Sequence, residues 1–168
     1  MAIKQTVTAI ILAIDPGFDR VGWAVGKSER GQISVLAYGC IQTSPRQTLF
    51  IRYQQIIQEL EQLIRQHQPT ELAIESLFFF KNQKTVMPVS EARGVIIGCC
   101  LKANLAVFEY TPLQIKQAVT GYGRADKKQV AKMMRLQLKL DDRPIIDDAM
   151  DALATLLTHA ATIRPPLR

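Results

Sequence analysis

The chain is poor in cysteine and histidine, and no apolar run in it reaches membrane-spanning length. Three cysteines, Cys40, Cys99 and Cys100, cannot all pair, and they lack metal-ligand spacing. They stand in apolar runs and read as reduced core residues. The two histidines, His67 and His159, fall near the ends of expected helices and read as surface residues without a catalytic role. The longest apolar candidate, Gly94 to Leu101, is too short for a bilayer and is flanked by Arg93 and Lys102. Met1-Ala2-Ile3-Lys4 lacks the design of a signal peptide, so the expected compartment is the cytoplasm. Internal repeats, low-complexity stretches and linker-like breaks are also absent. The 168 residues therefore read as a single domain, with a core from about 8 to 162 and a short loose tail after Pro165-Pro166.

What is present is an ordinary globular composition, 48% apolar and 21% charged, with a formal net charge of +6. A basic surface suits a polyanionic partner, nucleic acid first, although charge alone does not decide this.

One stretch organises the rest. Ala9 to Ile14 is an apolar strand that ends in Asp15, and Pro16-Gly17 stops it at once. Asp15 thus stands at the C-terminal end of a strand, where α/β sheets hold their ligands. The first strand spans about Thr8 to Ile14, the second Val21 to Val25 and the third Gln32 to Gln42, with short turns that suggest a meander. Ser44-Pro45 opens a long helix whose Tyr53, Ile56, Ile57, Leu60, Leu63 and Ile64 recur at helical spacing, with Arg52, Gln55, Glu59, Glu61 and Gln62 on the polar face. The helix ends before Pro69, and Glu71 to Glu75 is a fourth strand that again ends in an acid.

A largely apolar helix from about Val89 to Ala103, closed by Asn104, leads to a fifth strand, Leu105 to Glu109. Thr111-Pro112-Leu113-Gln114 is a helix start with a capping box, and Gly121-Tyr122-Gly123 ends that helix. Asp126 caps the next helix, to about Leu138, and the last runs from about Asp147 to Thr162. The order is β-β-β-α-β-α-β-α-α-α. A crossover sets the fourth strand parallel to the first and brings Asp15 beside Glu75.

The last helix carries the deciding pattern, Asp147-Asp148-Ala149-Met150-Asp151-Ala152-Leu153-Ala154. Ala149, Ala152, Leu153, Leu156, Leu157 and Ala160 share one arc, which faces the core. Asp148 and Asp151 lie one turn apart beside its edge, whereas Asp147 is placed to cap the helix. Like charges at this spacing oppose the helix unless a cation lies between them. Asp15, Glu75, Asp148 and Asp151 are hard oxygen donors suited to Mg²⁺ or Mn²⁺, and poorly suited to zinc without His or Cys. Two such ions about 4 Å apart activate a water and stabilise the leaving oxygen in phosphodiester cleavage.

Ile14-Asp15-Pro16-Gly17, Ala73-Ile74-Glu75-Ser76-Leu77-Phe78, Glu91-Ala92-Arg93-Gly94-Val95, Val107-Phe108-Glu109-Tyr110 and Asp148 to Ala154 follow in order, from about Ile10 to Ala160. In order and spacing they resemble the RuvC family of Holliday junction resolvases. The resemblance implies an RNase H-like fold, a five-stranded mixed sheet flanked by helices. It implies a homodimer that resolves four-way DNA junctions by paired nicks, leaving 5′-phosphate and 3′-hydroxyl ends, in recombination and repair. It implies metal ligation and catalysis by Asp15, Glu75, Asp148 and Asp151, and cooperation with a RuvA–RuvB branch-migration complex. Of the doublet, Asp148 is favoured over Asp147 by helical geometry and by the Asp-x-x-Asp-Ala-Leu-Ala spacing.

By the same resemblance, Phe78 matches an aromatic near the junction centre, where stacking on a base is worth roughly 1–3 kcal/mol. Lys116 and Lys127 match basic positions near the scissile phosphate; Lys127 and Lys128 at a helix N-terminus also make a reasonable phosphate site, to which Arg124 could add. Arg93 is as well explained by a structural pairing with an acid. Phe18 to Trp23 is similar instead to a related family of pre-rRNA-processing nucleases. Two alternatives stay open: a nuclease of the same fold acting on structured RNA, and a catalytically silent junction-binding module.

Overall fold

A computed structural model of the chain describes residues 8–29, 32–77, 83–141 and 143–162. Three strands open the fold: β1 (Ala9–Asp15), β2 (Arg20–Glu29) and β3 (Gln32–Gln42). There follow α1 (Leu49–His67), β4 (Glu71–Glu75), α2 (Gln83–Lys102), β5 (Ala106–Tyr110), α3 (Pro112–Thr120), α4 (Lys127–Leu138) and α5 (Asp147–Thr162). The sheet order is β3-β2-β1-β4-β5. β1–β2 and β2–β3 are antiparallel. β1–β4 and β4–β5 are parallel, the crossover arrangement expected from the sequence.

Alternation along β1 assigns its side chains to two cores. Leu12 and Ile14, with Leu72, Ile74, Val21 and Val25, face α1 and α2. Ile11 and Ala13, with Ala24 and Ala73, face α5. The second face is built from small residues, and α5 answers with Ala152, Ala154 and Ala160, so helix and sheet approach closely. Each fully buried aliphatic, such as Leu153 or Ile14, contributes about 1.5–3 kcal/mol.

The capping box at Thr111/Gln114 forms as read, Asp126 caps α4 as read and is completed by Gln129 into a second box, and Asn104 and Gly121 adopt the left-handed conformation that ends helices. Several expectations are corrected. α1 begins at Leu49 behind Thr48, not at Ser44-Pro45. α2 begins at Gln83 rather than Val89 and contains Pro88 in its second turn, where the ring removes an i→i−4 hydrogen bond. β2 extends through Glu29 as the partner of a long β3. Of the cysteines only Cys100 is fully buried. The arc on α5 widens to an almost continuously buried helix from Ala152 to Ala160, because α3, α4 and the sheet enclose it. Two polar residues assigned to solvent, Arg52 and His159, are buried at 4% and 0% exposure.

Candidate active site

The register Ile14↔Ile74 sets Asp15 and Glu75 side by side at the C-terminal ends of adjacent parallel strands. The N-terminal end of α5 comes down over them. It can do so because Gly22 of β2 has no side chain: a Cβ there would run into the Asp148 carbonyl and lie 3.2 Å from the Ala149 nitrogen. This brings Asp148 and Asp151 to the strand ends.

The loop after Asp15 is held from α1. Arg52 donates from Nε to Thr43 Oγ1 (2.8 Å) and from Nη2 to the Phe18 carbonyl (3.0 Å), and it pairs with the Asp19 carboxylate. The guanidinium also lies over the Phe18 ring, 4.7 Å from its centroid. Arg93 acts on β4 in a similar way. Its Nε donates to the Glu75 carbonyl (3.3 Å), and its Nη2 stands 3.0 Å from Glu109 Oε2.

The carboxylates act on one another. Burial raises Asp15 to about 8, with Glu75, Asp151 and Asp148 adding to the effect and Lys127 opposing it. Burial raises Glu75 to about 7, with Asp151 adding and Lys116 and Lys127 opposing. Asp151 is also raised by burial, against Lys127 and with Asp147 and Asp148. Cations lie beside two of the acids: Arg20 Nε is 3.1 Å from Asp148 Oδ2, and Lys127 Nζ is 3.5 Å from Asp151 Oδ2. Among the described residues, Asp148 Oδ2 is nonetheless a buried acceptor without a well-directed hydrogen bond.

A cleft of about 220 Å³ opens beside this cluster, between β4, α3, α4 and α5. Glu75, Asp151, Asp147, Lys116 and Lys127 line it. Asp15 and Asp148 do not; Asp15 is half-buried at the strand end, and Asp148 turns toward β2 and Arg20. Among the described residues, no three His, Cys, Asp or Glu side chains close round a point at metal-ligand spacing. The donor set still fits a divalent cation: it is all oxygen, mutually repelling, partly buried, and includes an acceptor without a directed partner.

Lys116 stands on α3 and Lys127 at the first residue of α4, and both act electrostatically on Glu75. Phe78 lies outside the described residues. Sequence reasoning missed Arg20, Arg52 and Gly22. The signal for Gly22 was its place seven residues after Asp15 on a strand that must receive a helix; the two arginines gave none.

A five-stranded mixed sheet with acids at two adjacent strand ends, faced by two more on the last helix, defines a protein of RNase H-like fold. The family model for Crossover junction endodeoxyribonuclease RuvC matches residues 11–159. The chain is 48% identical over 150 residues to a protein of that name from Petrotoga mobilis, covering 89% of this chain and 92% of the relative. It is also 48% identical to one from Finegoldia magna, covering 89% and 91%. Its structure resembles that of Thermus thermophilus RuvC in complex with Holliday junction substrate, with TM-score 0.85, 30% identity, and 92% and 94% of the two chains covered. The chain belongs to the RuvC family of crossover junction endodeoxyribonucleases, and is thus a hydrolytic nuclease.

Proposed function

We propose that this protein resolves four-way DNA junctions by metal-dependent nicking, with Asp15, Glu75, Asp148 and Asp151 as the catalytic set. The observation that carries this reading is geometric: Asp15 and Glu75 end adjacent parallel strands, and Asp148 and Asp151 lie close enough that their charges act on the Asp15 carboxyl, a repulsion that a bound divalent cation would relieve. The four carboxylates would hold Mg²⁺ or Mn²⁺, two ions per site. When bound, these ions supply an activated water and stabilisation of the leaving oxygen.

The remaining work falls to the chain. Lys116 and Lys127 stand at the mouth of the cleft, where a phosphate approaching Glu75 and Asp151 meets positive charge. Lys127 exchanges its carboxylate partner for that phosphate. Burial of Asp15 and Glu75 keeps their dielectric low and strengthens their grip on a cation. Cleavage leaves a 5′-phosphate and a 3′-hydroxyl. Two copies of the chain act on one junction, in cooperation with a RuvA–RuvB-like branch-migration complex, in the cytoplasm. Among the described residues no helix is long and apolar enough to cross a membrane. Phe78 stacks on an unpaired base near the crossover.

Matched substrates test the reading. A synthetic four-way junction and a structured RNA of the same length are each incubated with the protein and Mg²⁺ or Mn²⁺. Paired nicks in the junction, with the RNA intact, are expected. Cleavage of the RNA alone, or tight junction binding without nicking, overturns the reading.

A further inference from the structure

His159 is fully buried on α5, and both of its ring nitrogens are engaged. Nδ1 lies 2.6 Å from the Tyr110 hydroxyl and Nε2 lies 2.8 Å from Glu71 Oε2. A carboxylate can only accept, so Nε2 carries the proton and Nδ1 accepts from the tyrosine hydroxyl. The Phe108 ring lies against the imidazole, with centroids 4.6 Å apart. Burial holds the pKa of His159 below its ordinary value, consistent with a neutral ring.

The partners tie α5 to both strands beside the candidate site. Glu71 opens β4, and Tyr110 closes β5 directly opposite Glu75. The Tyr110 carbonyl accepts from the Ser76 backbone nitrogen (2.8 Å) and from Ser76 Oγ (3.2 Å), which fixes the residue that follows Glu75. A continuous path therefore runs from α5 through His159 and Tyr110 to the backbone beside Glu75. On α5 itself, His159 follows Asp151 by two turns, about 12 Å along the axis. The apolar contact between α5 and the sheet sets Ala152, Ala154 and Ala160 beside Met150, Leu153 and Leu156, and such non-directional packing specifies axial register less sharply than a directed bond does. Directional hydrogen bonds at His159 define it.

We propose that His159 is a positioning residue: through Tyr110 and Glu71 it sets the register of α5, and so the placement of Asp151 and Asp148 against Glu75 and Asp15. The proposal rests on the reading of those four acids given above. It predicts that losing the hydrogen bonds misplaces the carboxylates without disturbing the basic surface that binds DNA. A misplacement near 1 Å costs on the order of 100-fold in rate.

The test compares wild type, His159→Phe, His159→Gln and Tyr110→Phe. Single-turnover junction cleavage and junction affinity are measured well below each variant's melting temperature. His159→Phe keeps the ring and loses both hydrogen bonds; a 10- to 100-fold lower cleavage rate with junction Kd within about twofold of wild type is expected. Tyr110→Phe removes one of the two bonds to His159, together with the hydroxyl's contact to Thr162, and should lower the rate in the same direction; the double variant His159→Phe/Tyr110→Phe, made alongside, should be no worse than His159→Phe. Gln presents an acceptor and a donor about as far apart as the ring nitrogens, so His159→Gln should recover most of the rate. If His159→Phe and Tyr110→Phe cut at the wild-type rate and lose only melting temperature, the residue is merely structural and the proposal falls. If His159→Phe does not fold, Tyr110→Phe with wild-type cleavage overturns it alone. A wild type that leaves junctions intact defeats instead the functional reading on which it rests.

Discussion

Gly22 and the Asp148 carbonyl meet so closely that no side chain fits between them. The contact lets the N-terminal turn of α5 settle on β2 and sets how closely helix and strand approach at Asp148. Gly22→Ala must push helix and strand apart. A loss of about 1–3 kcal/mol in urea unfolding is expected, as for other overpacked sites, together with a cleavage rate at least tenfold lower. Wild-type stability and rate in this variant would show that the close approach is dispensable.

The raised acids make a second prediction. Asp15 and Glu75 hold their protons in the folded state up to about 8 and about 7, well above the ordinary values of 3.8 and 4.5. Between those limits the folded chain binds more protons than the unfolded one, so stability falls as pH rises. The loss begins near pH 4 and is complete above pH 8. Asp15→Asn removes most of this penalty. Urea titrations at pH 5 and pH 8 without divalent cations should therefore show a smaller fall for the variant than for the wild type. Added Mg²⁺ should stabilise the wild type at pH 8 more than the variant.

Lys127 separates binding from stability. Its side chain is 77% exposed, so the pair with Asp151 contributes little to folding. Lys127→Gln should change unfolding free energy by less than about 0.5 kcal/mol. The same variant should weaken junction binding, reduce the salt slope by about one unit, and lower cleavage. An unchanged salt slope would remove Lys127 from the phosphate path.

Arg93 supports Glu75 from behind. Arg93→Ala withdraws a donor from the Glu75 carbonyl and the partner of Glu109, and a loss of about 1–3 kcal/mol with slower cleavage is expected in unfolding and nicking assays. Arg93→Lys should not restore either, because one ammonium cannot replace the two-sided contact of the guanidinium.

The sequence made the strand ends legible because a carboxylate followed at once by Pro-Gly interrupts an apolar run in only a few ways. The pair on α5 was legible because its neighbours pattern cleanly on a helix. Arg52 and His159 were not, for one physical reason. Helical periodicity sends polar residues to solvent by default, and it carries no information about a distant loop carbonyl or a glutamate on another strand that pays for burial. The start of α2 was lost to Pro88, which a sequence reading takes as a boundary and which here lies inside the helix. Lys116 and Lys127 flank the cleft, a position set by α3 and α4 docking on α5 rather than by local pattern.

The central claim is that four carboxylates act as one metal-binding catalytic set. Its most direct test is nicking of a synthetic four-way junction with Mg²⁺ by the wild type and by Asp15→Asn, Glu75→Gln, Asp148→Asn and Asp151→Asn, with junction affinity measured alongside. Each variant should bind the junction about as tightly as the wild type and cut it on the order of 100-fold more slowly or not at all. Variants that cut at the wild-type rate would contradict the account.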